Sequence, residues 1–156
     1  MNVVTALAIA AGVLVAVWVK VSVLINVPFW YVSVFGWASY IGAGGGMNGL
    51  KKAIAAGVLG MFLVATAEMI ALMTGHMELE WLLLGAATFV AVFLSRFSLF
   101  SFIPAAFCGA AVIGAGGPVG IFDAITNTKL GIAFVIGPVV GFIADAVAKA
   151  ISKKPA

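Results

Sequence analysis

A chain of 156 residues with 65% hydrophobic and only 8% charged residues falls outside the range of soluble domains, which carry about 25% charged residues. Its mean hydropathy of +1.28 is more apolar surface than one small domain can hide, so lipid must be part of its solvent. The net charge of +3 comes from scattered basic residues, which argues against a nucleic-acid surface, and a single cysteine excludes an intrachain disulfide framework.

A membrane-crossing helix needs about 20 apolar residues. Residues 3–25 meet that length. Their start, MNVVTALAIA, has no basic n-region and no small-residue cleavage site, so the sequence predicts a retained helix rather than a signal peptide. Residues 28–41 are apolar but short, and run into Gly42-Ala43-Gly44-Gly45-Gly46. Residues 53–74 form the next full-length span, opened by Lys51 and Lys52 and closed by Gly75. A further span covers 79–95. Residues 99–113 are again short, contain Pro104, and run into Gly114-Ala115-Gly116-Gly117-Pro118. A last long span covers 130–150. Small residues four apart (Ala8, Gly12, Ala16; Ala56, Gly60; Ala133, Gly137, Gly141) predict close helix contacts.

The chain reads as one transmembrane domain containing the same unit twice, residues 3–74 and 79–150. Lys20 and Pro28 correspond to Arg96 and Pro104 at one offset. Gly42-Ala43-Gly44-Gly45 matches Gly114-Ala115-Gly116-Gly117 at a smaller one. Lys52, Gly60 and Ala67-Glu68 match Lys129, Gly137 and Ala144-Asp145 at a larger one. Each unit is a long helix, a short helix, a Gly-rich break and a long helix. If the short helices cross, there are six membrane segments and the second unit is inverted; if they are re-entrant, there are four. Six crossings put Lys51, Lys52, Arg96, Lys149, Lys153 and Lys154 on one side, against Lys20 and Lys129 on the other with Glu78, Glu80 and Asp123. That is the cleaner positive-inside split. The expectation is an all-α polytopic membrane protein, six segments as an inverted repeat of three, with both termini cytoplasmic.

The two Gly-rich breaks are the most informative feature. Unpaired backbone survives in hydrocarbon only against protein or a water-filled cavity, and interrupted segments at matching places in two halves point to a transport site. Gly42, Gly44, Gly45, Gly46, Gly114, Gly116 and Gly117 are therefore candidate path residues, with tight turns as the alternative. Tyr40 and Asn48 flank the first break and could bond a solute; Phe97, Phe100, Phe102 and Phe107 surround the second. Glu68 and Asp145 are ionisable groups inside spans, which are expensive in lipid and point to function. Glu68 is expected near the outer boundary and Asp145 near the inner one, where Lys149 is its i+4 neighbour. Trp30, Tyr31 and Trp81 look like interfacial anchors. His76 beside Glu78 and Glu80 is weak evidence for a metal, and no metal or cofactor is expected. No nucleophile elbow, P-loop, HExxH or haem motif is present, so the sequence predicts no enzyme.

Gly36-Trp37-Ala38-Ser39-Tyr40, running to Gly45-Gly46 and Gly49-Leu50-Lys51, and Ser101-Phe102-Ile103-Pro104, running to Phe107 and Gly109, resemble a family of small bacterial inner-membrane proteins catalogued only as a domain of unknown function. The resemblance implies a bacterial cytoplasmic-membrane location and brings no substrate with it. The residues themselves point to a channel or small transporter for a small polar solute: a urea- or ammonia-like molecule, or a small cation. Two other classes stay open, an ion-coupled exporter using Glu68 and Asp145, and a non-transporting membrane subunit. So short a chain is expected to work as a homo-oligomer.

Overall fold

The computed structural model describes residues 1–27, 29–116 and 124–152. All regular structure among them is helical: α1 (Val3–Leu24), α2 (Trp30–Gly42), α3 (Gly46–Thr74), α4 (Glu80–Leu94), α5 (Ile103–Gly114) and α6 (Ala124–Ile151). Four helical stretches are long and apolar enough to cross a membrane: α1, α3, Met77–Leu94 and α6. At 13 and 12 residues, α2 and α5 reach only about 20 and 18 Å.

Local chemistry sets the boundaries. Asn2 caps α1 by accepting from the Val4 N–H through Oδ1, 3.0 Å away. Asn26, at φ 59°, turns the chain away from the end of α1; asparagine tolerates this left-handed position. Gly75 closes α3 at φ 72°. Pro104 sits in the first turn of α5, where its missing N–H is harmless. α3 begins well before the expected residue 53, because Lys51 and Lys52 are good helix formers whose ammonium groups can reach the headgroups.

Contacts give the direction of each helix. Gly57 and Met61 on α3 meet Phe134 and Gly131 on α6, so these two long helices run antiparallel. Ala6 and Ala10 pack on Ala148, while Val15 and Trp18 further along lie with Val140 and Gly137, which makes α1 antiparallel to α6. α4 is antiparallel to α3, with Ala87 and Ala91 beside Val64 and Gly60. The short helices run alongside the long helix of the other half: Ser33 and Tyr40 on α2 meet Gly137 and Asp145 on α6, and Ala106 and Gly114 on α5 meet Gly60 and Glu68 on α3. Successive helices therefore alternate in direction.

The tightest contacts are backbone crossings at glycine. A Cβ on Gly60 would strike the Ala106 carbonyl, and one on Gly137 the Ser33 carbonyl. Likewise Gly109 lies on the Gly57 carbonyl and Gly36 on the Phe134 carbonyl. In lipid, where apolar surface gains little by leaving its solvent, such close approach is what joins helices. The expected stripe on α1 is corrected. Ala6 and Ala10 are the buried pair, while Gly12 faces open space, because only that edge of α1 meets α6. The outer surface is largely apolar between the ends, as Val13, Phe62, Phe89 and Ile132 illustrate, and the core is made largely of alanine and glycine around Phe134. A soluble monomer does not expose apolar surface on this scale. This is an apolar membrane bundle.

Candidate functional site

At the end of the bundle that holds both helix termini Val3 and Ile151, the first break is a tight link between α2 and α3. Gly44, Gly45 and Gly46 have φ of 93°, 66° and 62°, which makes all three glycines conformational requirements. Tyr40 is fully buried beside the link. Its hydroxyl donates to Asp145 Oδ2 at 2.6 Å and accepts from the Gly46 N–H at 2.8 Å. Gly45 lies against the same carboxylate; a Cβ there would stand 3.2 Å from Oδ2. Asp145 thus bonds across the bundle to Tyr40, and the expected pair with Lys149 along its own helix is not formed among the described residues. Gly42 faces the ring of Phe102, and Asn48 lies exposed in the first turn of α3.

The second break lies at the opposite end. Gly114 is the last residue of α5, Gly116 follows in a turn, and Gly117 lies outside the described residues. Ala115 and Gly116 border a cavity of about 360 Å³ between α2, α5 and the start of α6. Phe29, Tyr31, Phe35, Cys108 and Leu130 complete much of its wall, which is mainly apolar. The expected ring of phenylalanines around this break is corrected. Phe102 sits at the first break, over Gly42, and Arg96 lies 3.9 Å from the Phe93 ring and 5.0 Å from the Phe97 ring. Phe97, Phe100 and Phe102 precede α5, whose length of about 18 Å separates them from its glycine end, and Phe107 lies within α5 beside the α3–α4 contact.

Glu68 is near that glycine end. Only 3% of the residue is exposed, and a Cβ on Gly114 would be 3.9 Å from its Oε1. Its Oε2 is buried without a hydrogen-bond partner among the described residues. The amide oxygen of Asn127 is the other such atom. Asn127 borders a groove of about 480 Å³ between α3 and α6, together with Ala65 and with Ile113 of α5.

Between the two ends the interior is filled. The Phe134 ring occupies the notch at Gly57, and Pro138 seats against Gly36. Ser33 Oγ donates to the Ala133 carbonyl at 2.6 Å and accepts from Trp18 Nε1 at 2.9 Å, tying α1, α2 and α6 together. The charges divide by end. Lys51, Lys52, Arg96 and Lys149 lie toward the end with the helix termini; Lys20, Lys129, Glu78 and Glu80 lie toward the other. His76 Nδ1 and Glu78 Oε1, 2.8 Å apart, are within hydrogen-bonding distance. Trp30, Tyr31 and Trp81 are exposed at that same end.

Residues 8–149 match the family described as "Protein of unknown function (DUF1097)". The chain belongs to this family. The match covers both halves and both breaks, as the resemblance at Gly36–Lys51 and Ser101–Gly109 implied. No curated protein and no solved structure matches the chain. The family's description carries no activity, so function is argued from geometry alone. Sequence reasoning did not single out Trp18, Ser33, Asn127 or Phe134. Asparagine inside an otherwise apolar stretch was a readable signal; the Ser33 bond joins residues 100 apart and was not readable.

Proposed function

We propose that this chain is a small transporter for a small polar solute, built as an inverted repeat of two three-segment units. The reciprocal glycine crossings carry the reading. Ala106 on Gly60 and Ser33 on Gly137 are one contact made twice, as are Gly57 on Gly109 and Phe134 on Gly36. Residues on the short helices differ by 106 − 33 = 109 − 36 = 73, and those on the long helices by 137 − 60 = 134 − 57 = 77. A repeat used twice in opposite direction, with each short helix docked on the other unit's long helix, is how many transporters frame a site. The alternating helix directions support six crossings, in which α2 and α5 cross together with the residues leading into them. The charge division supports cytoplasmic termini. The family resemblance supports a bacterial cytoplasmic membrane.

The filled centre favours a gated transporter over an open channel. The four glycine crossings present smooth backbone at the α2–α6 and α3–α5 contacts, where one unit can rock on the other. The solute enters beside the second break, and the cavity bordered by Gly116 is the proposed opening at that end. The path continues toward the first break past Tyr40 and Asp145. A homo-oligomer in the bilayer is part of the proposal, and catalysis is not.

The test is flux into proteoliposomes across a panel of urea, ammonium, and alkali cations. Gly116→Leu, which puts a side chain at the cavity wall, should remove most of the flux and leave the unfolding temperature in detergent unchanged. A wild-type protein that moves nothing on the panel, or a folded Gly116→Leu that conducts normally, contradicts the proposal.

A further inference from the structure

Both carboxylates inside the bundle lie beside the C-terminal end of a short helix. Asp145 is beside the end of α2, and Glu68 beside the end of α5. A helix C-terminus is the negative pole of its dipole and carries carbonyls without intrahelical donors, so a carboxylate there is repelled unless something positive intervenes. At α2 the conflict is relieved by the Tyr40 hydroxyl, which donates to Asp145. The α5 residue equivalent to Tyr40, at the offset of 73 that relates the short helices, is Ile113, which has no hydroxyl to give. Glu68 therefore keeps a buried oxygen with no donor among the described residues, in a residue 3% exposed.

The second orphan oxygen belongs to the neighbouring helix, on Asn127 in the first turn of α6. Antiparallel packing that sets Met61 beside Gly131 brings Ala65 and Asn127 to one level, one turn from Glu68. Ile113 borders the groove with Asn127, while its neighbour Gly114 lies against Glu68. The end of α5 is thus flanked by a carboxylate and by an amide oxygen, both acceptors and both without a donor. Leaving two such groups unsatisfied in a low-dielectric interior is expensive. A cation relieves all of these groups at once, and an oxygen-only set suits a hard ion. One carboxylate balances one positive charge. No three His, Cys, Asp or Glu side chains converge among the described residues, as a transition-metal site would require.

The carbonyls of Ala111 and Ile113 already accept from the Ala115 and Gly116 N–H groups, so we propose that Glu68, the Asn127 amide oxygen and another C-terminal carbonyl of α5 form a binding site for one small, desolvated monovalent cation. Half-helix C-termini and freed carbonyls are the groups with which transporters hold coupling ions. The two halves then divide the labour: Asp145 with Tyr40 is a permanent lock, and Glu68 is the exchangeable site. The inference deepens the transport reading by naming the ion, and it rests on that reading only for its purpose.

Equilibrium binding tests it separately from flux. Full-length protein in detergent is unfolded thermally in chloride salts of Li⁺, Na⁺, K⁺ and NH₄⁺, each compared with N-methylglucamine at equal ionic strength. At least one small cation should raise the unfolding temperature saturably, since ligand bound only to the folded state stabilises it. The rise should vanish in Glu68→Gln, shrink in Asn127→Leu and persist in Asp145→Asn. In case Glu68→Gln does not fold, the wild type is also treated with dicyclohexylcarbodiimide, and the adduct at Glu68 should be suppressed by the same cation. No cation-specific rise in the wild type, a rise retained in Glu68→Gln, or labelling indifferent to the cation overturns the site. A protein that binds the cation but moves nothing would sink the transport reading and leave the site standing.

Discussion

Gly60 and Gly137 meet backbone, not side chain, so nothing at the contact can rotate out of the way. Overpacking a core costs about 1–3 kcal/mol and sometimes more. Gly60→Ala and Gly137→Ala should therefore each destabilise by at least about 2 kcal/mol, whereas Gly85→Ala, whose Cβ meets nothing within 4 Å, should be neutral. Thermal unfolding in detergent, followed by tryptophan fluorescence, checks all three. Tyr40→Phe removes the donor from Asp145 and the acceptor from Gly46, and should cost about 1–3 kcal/mol by the same measurement. At this scale the sequence was partly legible. Tyr40, Glu68 and Asp145 stood out because polar groups are rare in such spans. Their environments did not, because whether a carboxylate finds a donor depends on residues far along the chain. Tyr40 and Asp145 are 105 positions apart. Lys149, four residues on, was the visible neighbour but not the one that bonds the carboxylate across the bundle.

Each helix was foreseen from apolar runs and Gly or Pro punctuation, with boundaries shifted at the polar ends. The start of α3 moved furthest, since a lysine pair marks a membrane boundary and not a helix boundary. At the first break, backbone conformation accounts for Gly44, Gly45 and Gly46. Gly44→Ala should cost about 1–2 kcal/mol, the penalty for a Cβ in the left-handed region, although nothing lies within 4 Å of it. At the second break Gly116 borders a cavity, into which an added side chain can extend. Stability should therefore fall at Gly44 and hold at Gly116. A stable Gly44→Ala would show that the link does not need glycine there. The α1 stripe was misread because small residues recur at four-residue spacing along two edges of that helix, and only contact with α6 selects one.

For the whole molecule, composition was enough to call for lipid, because no packing arrangement buries this much apolar surface in a chain of this size. The proposed internal repeat rests in the sequence on matched glycines and charges whose offsets drift. The crossings place the short helices in one register and the long helices in another, the second of which is the offset of Lys52 and Lys129. The central claim is that both short helices cross, so that the two units are inverted relative to each other. It is tested by single cysteines in a Cys108→Ala background, labelled in intact cells with a membrane-impermeant thiol reagent. Asn26→Cys and Asn48→Cys bracket α2. Six crossings predict labelling at 26 and at 76 (His76→Cys), with 48 protected until the membrane is permeabilised. Re-entrant short helices put 26 and 48 on the same side. Labelling of both, or protection of both, would contradict the account.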